Sequence, residues 1–290
     1  MIWLIGNKGM LGTELSRVFD SRGIQYVGTD RDVDITSERA VAEFIDAYTG
    51  VDKIDWIVNC AAYTAVDKAE DDQALCELLN VTGPAIVAKA AKASGARMIH
   101  ISTDYVFNGN GNRPYREDDP TDPTGIYGLT KRDGENAALA VNDRIYIVRT
   151  AWLYGQYGKN FVKTMLALMN EKERISVVND QRGAPTWAFD LAEAITAFIV
   201  AKNDVPFGIY HFSNLGDISW FDFAQAIYRL GRDKGLIQKE CAVLPCTSAE
   251  YPSRVRRPPY SVLDKTKIQK ELHITIPGWE ASLSKYLDIK

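Results

Sequence analysis

Histidine and cysteine are scarce in this chain, and that removes two classes of chemistry before any motif is read. Of 290 residues, 3 are histidine and 4 are cysteine. Cys60, Cys76, Cys241 and Cys246 are too few and too scattered to staple a disulfide framework. A metal site needs closer partners than His100, His211 and His273 offer, so no metal is expected. Cys60 closes a core-strand run, where a small buried thiol packs well; His100 and His211 lie inside apolar strand runs and read as satisfied core histidines. Excess positive charge is lacking too. The formal charge is -4 and no basic stretch is interleaved with aromatics, which argues against a nucleic-acid partner. No apolar run reaches membrane-spanning length, the first strand leaves no room for a signal peptide, and neither repeats nor low-complexity tracts occur. A cytoplasmic globular protein is expected, with one large core or one core and a smaller lobe.

What is present begins at once. Met1-Ile2-Trp3-Leu4-Ile5 is a short apolar run that breaks at Gly6-Asn7-Lys8-Gly9-Met10-Leu11-Gly12 and continues as a helical pattern over 13–21. Strand, glycine turn and helix make a dinucleotide cradle. The first glycine turns the chain, the second lets backbone approach a pyrophosphate, and the third lets helix pack on strand, while the helix amino end attracts the anion. The cradle residues are Gly6, Gly9, Met10, Leu11 and Gly12. The spacing G-x-x-G-x-x-G is weak alone, so context must carry it. A second strand over 24–28 leads to Asp30, at the interval of a residue that meets the adenosine ribose, although an Asp there is equally an ordinary turn former. Arg31 beside it suits a 2′-phosphate where the carboxylate prefers a free 2′-OH, which leaves NADH against NADPH open.

Further apolar runs at 54–59, 97–101, 144–148 and 174–178 alternate with helical pattern, which predicts an α/β fold on a doubly wound parallel sheet. Between the fourth and fifth runs, 106–123 is rich in Gly, Asn and Pro. A long loop there should hang over the carboxyl ends of the strands, where such sheets bind ligands. After 181–186 the rhythm changes to a helix over 187–202, a strand over 208–212, a helix over 220–230, an arginine- and proline-rich loop over 252–259 and two short helices. The expected division is a dinucleotide-binding domain, 1–180, and a smaller C-terminal substrate lobe, 181–290, partly interleaved with it.

The chemistry is expected at Tyr127-Gly128-Leu129-Thr130-Lys131, opening a helix over 126–140. Four residues apart, phenol and ammonium share one face, and a nearby cation lowers a tyrosine's pKa toward the range of a usable general acid. A second such spacing, Tyr286 to Lys290, is only the end of the chain. Ser102-Thr103-Asp104 closes the fourth strand and offers a hydroxyl to the same carbonyl oxygen; the alternative is a strand-terminating turn.

These residues resemble the extended short-chain dehydrogenases/reductases over nearly the whole chain. The resemblance rests on the runs 59–70, 102–107, 127–131 and 178–186 and on Arg257-Pro258. It implies a Rossmann-type fold, NADPH or NADH as cofactor, and a dTDP-sugar as substrate: hydride passes to C4 of a dTDP-linked 4-keto-6-deoxyhexose. Tyr127 donates the proton, Lys131 holds the ribose, and Thr103 hydrogen-bonds the same oxygen. Asn59, Ala61, Ala62, Tyr63 and Ser102 line the cofactor cleft, and Asp34 and Ile35 flank the adenine. Thr64, Val66, Asp104, Tyr105, Trp152, Asn160, Arg182 and Arg257 surround the sugar and diphosphate. Relatives that dehydrate carry Thr-Asp-Glu where this chain has Thr103-Asp104-Tyr105, so elimination of water is disfavoured. Some relatives dimerise around magnesium held by glutamates, one at the place of Glu14. The later position, near Phe189, is not acidic here, so Glu14 is expected to be solvated, with no metal and a homodimer left open. The resemblance also admits a non-catalytic NADP-binding regulatory subunit of the methionine adenosyltransferase type, or another sugar-nucleotide epimerase or reductase.

Overall fold

The structure, a computed structural model, describes residues 1–251 and 253–289; Pro252 of the arginine-rich loop and Lys290 of the second Tyr-x-x-x-Lys spacing lie outside the described residues. Eight strands of four or more residues occur among them: β1 (Ile2–Ile5), β2 (Tyr26–Thr29), β3 (Trp56–Asn59), β4 (Arg97–Thr103), β5 (Ile145–Thr150), β6 (Arg174–Val178), β7 (Gly208–Phe212) and β8 (Ala242–Cys246). Six form one parallel sheet in the order β7-β5-β4-β3-β1-β2. Among the described residues, the helices of seven or more residues are α1 (Met10–Arg22), α2 (Glu38–Asp46), α3 (Gln73–Ser94), α4 (Ile126–Val141), α5 (Phe161–Glu171), α6 (Ala188–Val200), α7 (Trp220–Asp233), α8 (Thr266–Leu272) and α9 (Trp279–Asp288).

Alternation along β1 shows why the sheet is buried on both faces. Ile2 and Leu4 join Leu15, Phe19, Ile195 and Phe198 of α1 and α6. Trp3 and Ile5 turn to the opposite core, with Val41 of α2, Val87 and Ala91 of α3 and Ala138 of α4. A strand buried on both sides must be apolar throughout, which is the run that the sequence displays. A separate core joins α5, α7 and α9 to β6 and β8 through Met169, Ile175, Val177, Phe223, Ile227 and Leu283.

Two strands change places relative to expectation. The run 174–178 does not join the large sheet but pairs with β8, and 208–212, expected in the smaller lobe, is the sheet's edge strand beside β5. A short apolar run shows that a strand is buried, not which sheet it enters. Segment 153–178 leaves the first core for the second, and 188–212 returns.

Two further expectations are corrected. Glu14 is not solvated: its side chain is buried on α1 and paired with Arg17 at 3.1 Å, its Oε1 has no partner in the chain, and burial pushes its carboxyl pKa up. One segment also reaches membrane-spanning length. The continuous helix α3 spans 22 residues with mean hydropathy 1.2 in its most apolar window. Val87, Ala88 and Ala91 pack it on the sheet, so its apolar character belongs to the core.

The carboxyl half of the sheet is locked to α4 by a buried ion pair. Arg149 of β5 donates to Glu135 from Nε at 2.9 Å and from Nη2 at 2.7 Å, and both side chains are almost wholly buried. Arg149 also lies over the Phe107 ring, 5.1 Å from its centroid. Removing one partner leaves the other charged and unpaired in the interior. Glu135→Gln should therefore lower the free energy of unfolding by about 3–5 kcal/mol, whereas Glu135→Leu combined with Arg149→Met recovers most of the loss. Urea unfolding of the three proteins checks this; a loss below about 1 kcal/mol in the single variant would show that the pair is not what locks α4 to β5.

Candidate active site

The chain runs from β1 to β2 on one side and then crosses back to β3 on the other, so the carboxyl end of β1 is a topological switch point, where open α/β sheets bind ligands. The glycine turn lies there. Gly6 has φ +76°, and a Cβ on it would stand 2.9 Å from the Ala61 nitrogen; a Cβ on Gly12 would stand 2.1 Å from the Gly6 carbonyl oxygen. Both positions exclude a side chain. Gly9 is the N-cap of α1 and no side chain caps that end, so the first-turn amides of Met10, Leu11 and Gly12 face outward as an anion site. Leu11 is also a core residue. Ser102 Oγ and Asn7 Oδ1 are buried without a partner in the chain, which fits a polar ligand in the cleft.

The remaining cofactor candidates ring this cradle unequally. Asp30 follows β2 and its backbone is held by Asp32 at 2.7 Å; Arg31 is exposed beside it. Asp34 closes a turn onto Thr36, and the Ile35 side chain enters the core, which leaves backbone and Asp34 toward the cleft. Asn59, Ala61, Ala62 and Tyr63 follow β3. Asn80 brackets Tyr63, accepting from its N–H at 2.8 Å and donating to its carbonyl at 3.1 Å. The Tyr63 phenol donates to Asp72, which pushes its pKa up to about 12.

Thr103, Tyr127 and Lys131 meet at the carboxyl end of β4. Glu70 accepts from the Ile126 N–H at 2.9 Å and so fixes the first turn of α4, which carries Tyr127. Lys131 is 1% exposed; its ammonium donates to the Ile101 carbonyl at 2.6 Å, and burial pulls its pKa down to about 8. The expected effect of this lysine on the tyrosine is overturned. Burial raises the Tyr127 pKa, with only the Thr103 side chain working against it, because the lysine is aimed at the sheet rather than at the phenol. Thr103 Oγ1 accepts from the Tyr105 N–H at 3.2 Å and donates to Asp104 Oδ1 at 3.0 Å. Tyr105 stands edge-on to Tyr127, 5.5 Å between ring centroids.

Of the residues expected around the sugar nucleotide, some converge and some do not. Thr64 and Val66 sit on the rim, exposed and half-buried. Trp152 follows β5 with φ +46° and stacks on Trp220 at 3.6 Å between centroids. A cavity of about 740 Å³ opens beside it, lined by Phe161, Met165, Trp220, Tyr251, Arg256 and Arg257 among others. Arg257 is half-exposed, with Nη2 3.4 Å from Asp67 and its Nε buried without a partner. Asn160 and Arg182 are used elsewhere. Asn160 is a helix cap, its Oδ1 accepting from Lys163 and its Nδ2 donating to Gly155. Arg182 donates to the side chain and carbonyl of Asp217 at 2.8 Å, and its backbone pins 259–261, the segment that follows Arg257. Glu70, Asn80 and the ring of His100, which touches Lys131, complete the site. A carboxylate in a surface turn and an amide within a helix carry no local signal, and the apolar run around His100 shows burial alone.

A family model described as RmlD substrate binding domain matches the chain over residues 1–290. The dTDP-4-dehydrorhamnose reductase of Streptomyces griseus is 42% identical over 289 residues, covering 98% of this chain and 92% of its own. A crystal structure of a dTDP-4-dehydrorhamnose reductase from Clostridium acetobutylicum superposes with a TM-score of 0.91 at 40% identity, covering 99% of this chain and 98% of that one. That from Bacillus anthracis strain Ames, in complex with NADP, gives 0.90 at 35% identity with the same coverage.

One carboxyl of this site reports its environment through stability. Asp104 is buried, its Oδ2 has no partner, and burial pushes its pKa from the usual 3.8 up to about 6. The folded chain thus holds the proton more tightly than the unfolded one, and stability falls as pH rises from about 4 to about 6. Asp104→Asn should stabilise the protein by up to about 3 kcal/mol at pH 8 and hardly at all at pH 4. Thermal or urea unfolding at the two pH values checks the sign; an equal effect at both would mean that Asp104 ionises freely.

Proposed function

The chain belongs to the family of the RmlD substrate binding domain, and from that premise we propose that it is an NAD(P)H-dependent reductase of the C4 ketone of dTDP-4-dehydro-L-rhamnose, forming dTDP-L-rhamnose for polysaccharide biosynthesis. The observation that carries this reading is the meeting of Thr103, Tyr127 and Lys131 at the strand end next to the glycine cradle. The cofactor, when bound, supplies hydride to the carbonyl carbon. The open amides of α1 would hold its pyrophosphate, and Ser102 and Lys131 would hold its nicotinamide end.

The chain's own residues handle the proton and the charge. Reduction places negative charge on the C4 oxygen. Tyr127 donates its phenolic proton there, and its raised pKa makes the phenol the resting form, which an acid requires. Thr103 supports the same oxygen once its hydroxyl turns from Asp104, which adds a second donor where the charge develops. The aromatic and arginine-lined cavity beyond Trp152 suits the nucleotide handle, since guanidinium groups match phosphate oxygens in a planar fork. The reading invokes a small-molecule partner only, in the cytoplasm, without nucleic acid or membrane.

The deciding experiment supplies dTDP-4-dehydro-L-rhamnose with NADPH or NADH and identifies the product. Cofactor binding without oxidation would favour a regulatory binding protein, and a different sugar product another member of the fold. Tyr127→Phe should lower kcat by ~10²–10⁴-fold with cofactor affinity nearly intact; a wild-type kcat with chemistry limiting the rate would remove the acid assignment. Arg257→Ala should raise KM for the sugar nucleotide about ten-fold or more while leaving NADPH affinity unchanged, because a charged hydrogen bond is worth about 1.5–3 kcal/mol. An unaltered KM would turn attention to Arg256 in the same cavity wall.

A further inference from the structure

A buried chain of hydrogen bonds runs from the end of β3 to Lys131, and the proton on each link can be assigned. The Ala61 N–H meets the Asn59 side chain at 3.1 Å; a backbone N–H only donates, so the atom it meets is Oδ1. The other end of that amide, Nδ2, therefore faces His100 Nδ1 at 3.2 Å, and an NH2 group likewise only donates. Nδ1 is the acceptor. Both side chains have no exposed surface, and burial, with Lys131 beside it, holds the His100 pKa well below its usual value. The ring is neutral, and its one proton must sit on Nε2. That N–H faces Lys131 Nζ at 3.4 Å.

We propose that Asn59 and His100 are positioning residues that, by fixing the ring proton on Nε2, keep Lys131 an exchangeable amine rather than a permanent ammonium. An amine has a lone pair to accept Nε2–H. An ammonium has none and meets that N–H as a second donor. The 3.4 Å to Nε2, against 2.6 Å to the Ile101 carbonyl, fits a contact favourable in only one protonation state. Three other groups face the lysine: Glu135, one turn along α4, favours the charged form, while Cys76 of α3 and Cys60 after β3 are thiols whose pKa burial raises, so they stay neutral. Glu135 is committed to Arg149, and Tyr127 lies one turn before the lysine on α4. In the proposed reduction the Tyr127 proton goes to the substrate oxygen. Once the Lys131 ammonium turns from the Ile101 carbonyl toward the phenolate, one proton passes between them, and the amine that swings back is steadied by Nε2–H until solvent returns the proton.

Only this last consequence rests on the reading of the protein as a sugar-nucleotide reductase. The tautomer and the lysine titration are measured without sugar or nucleotide, so failure of that reading leaves both measurements standing. Nitrogen-15 NMR of the histidine-labelled protein should show His100 neutral, protonated on Nε2, with Nδ1 as acceptor; a proton on Nδ1 overturns the proposal, and this needs no variant. Asn59→Asp offers only acceptors, moves the ring proton to Nδ1 and turns the Nε2 lone pair toward Lys131. The Lys131 titration midpoint, followed by the carbon-13 signal of Cε and assigned with Lys131→Met, should then rise by about one unit or more. The alkaline limb of the kcat profile, where the Lys131 ammonium is lost, should move up with it. His100→Phe in the Asn59→Asp background separates the tautomer from the added charge. Loss of most of the rise supports the relay, and an undiminished rise shows that the carboxylate field alone is responsible and overturns it.

Discussion

Burying the Lys131 nitrogen is the constraint to which the rest of the site answers. An ammonium withdrawn from water is expensive unless it is paired, yet the nearest carboxylate on its own helix, Glu135, is held in a fork by Arg149. What remains to Lys131 is one backbone carbonyl and one imidazole nitrogen. The Glu135–Arg149 pair thus does two things at once. It ties α4 to β5, and it withholds from Lys131 the counter-charge that would fix it as a cation. Glu70 sets the start of the same helix by accepting from Ile126, so the phenol of Tyr127 and the amine of Lys131 are placed by one rigid element with both ends secured.

The two segments that roof the cleft are held very differently. The loop after β4 is anchored inside the protein. Phe107 stacks on Tyr115 at 4.2 Å, and the Tyr115 carbonyl meets His211 Nδ1 at 3.1 Å, with the ring's pKa pressed down to about 3 by burial and Arg149. The arginine-bearing segment that follows β8 is attached to the opposite rim by Arg254–Asp71 and Arg257–Asp67, both between substantially exposed groups. Such pairs are worth about 0–1 kcal/mol each and weaken with salt. An anion arriving at Arg257 would displace Asp67 at little cost, whereas the Phe107–Tyr115 stack is buried and has no such exchangeable contact. Rigid placement falls on the side of Thr103 and exchangeable contacts on the side of the arginines.

Much of this was legible in the sequence, for identifiable reasons. Gly6 and Gly12 announce themselves because no side chain fits where they stand, and a strand buried on both faces must be apolar throughout. The helix opening at 126 follows a loop too rich in Gly, Asn and Pro to be anything else. What was not legible depends on neighbours distant in the chain. β6 and β7 are alike in length and in apolar character, and only the packing of α6 beside α1 decides which of them enters the large sheet. Glu14 reads as a surface glutamate until the folded chain buries it. Asn160 is a buried helix cap held by Gly155 and Lys163, and Arg182 pairs with Asp217, partners that lie far off in sequence or in backbone geometry the sequence does not display. The rise of the Tyr127 pKa follows from burial, which spacing along a helix does not reveal.

Trp152 brings the two lobes into one site, and its backbone shows at what cost. A bulky residue at φ +46° sits in the left-handed region, which costs on the order of 1–3 kcal/mol and persists only where the surroundings over-determine it. They do so here. The indole lies flat on Trp220, and the opposite wall is Gly183, where a Cβ would come within 2.6 Å of the ring. A stacked pair returns about 0.5–1.5 kcal/mol beyond its burial, which at best balances the strain, so stability alone gives no reason for this conformation. What the conformation achieves is aim. Two residues past β5, it swings the indole off the sheet that carries Thr103, on the neighbouring strand, and onto Trp220, which lines the cavity that reaches Arg257. The strain is therefore best understood as the cost of making the two halves of the cleft continuous.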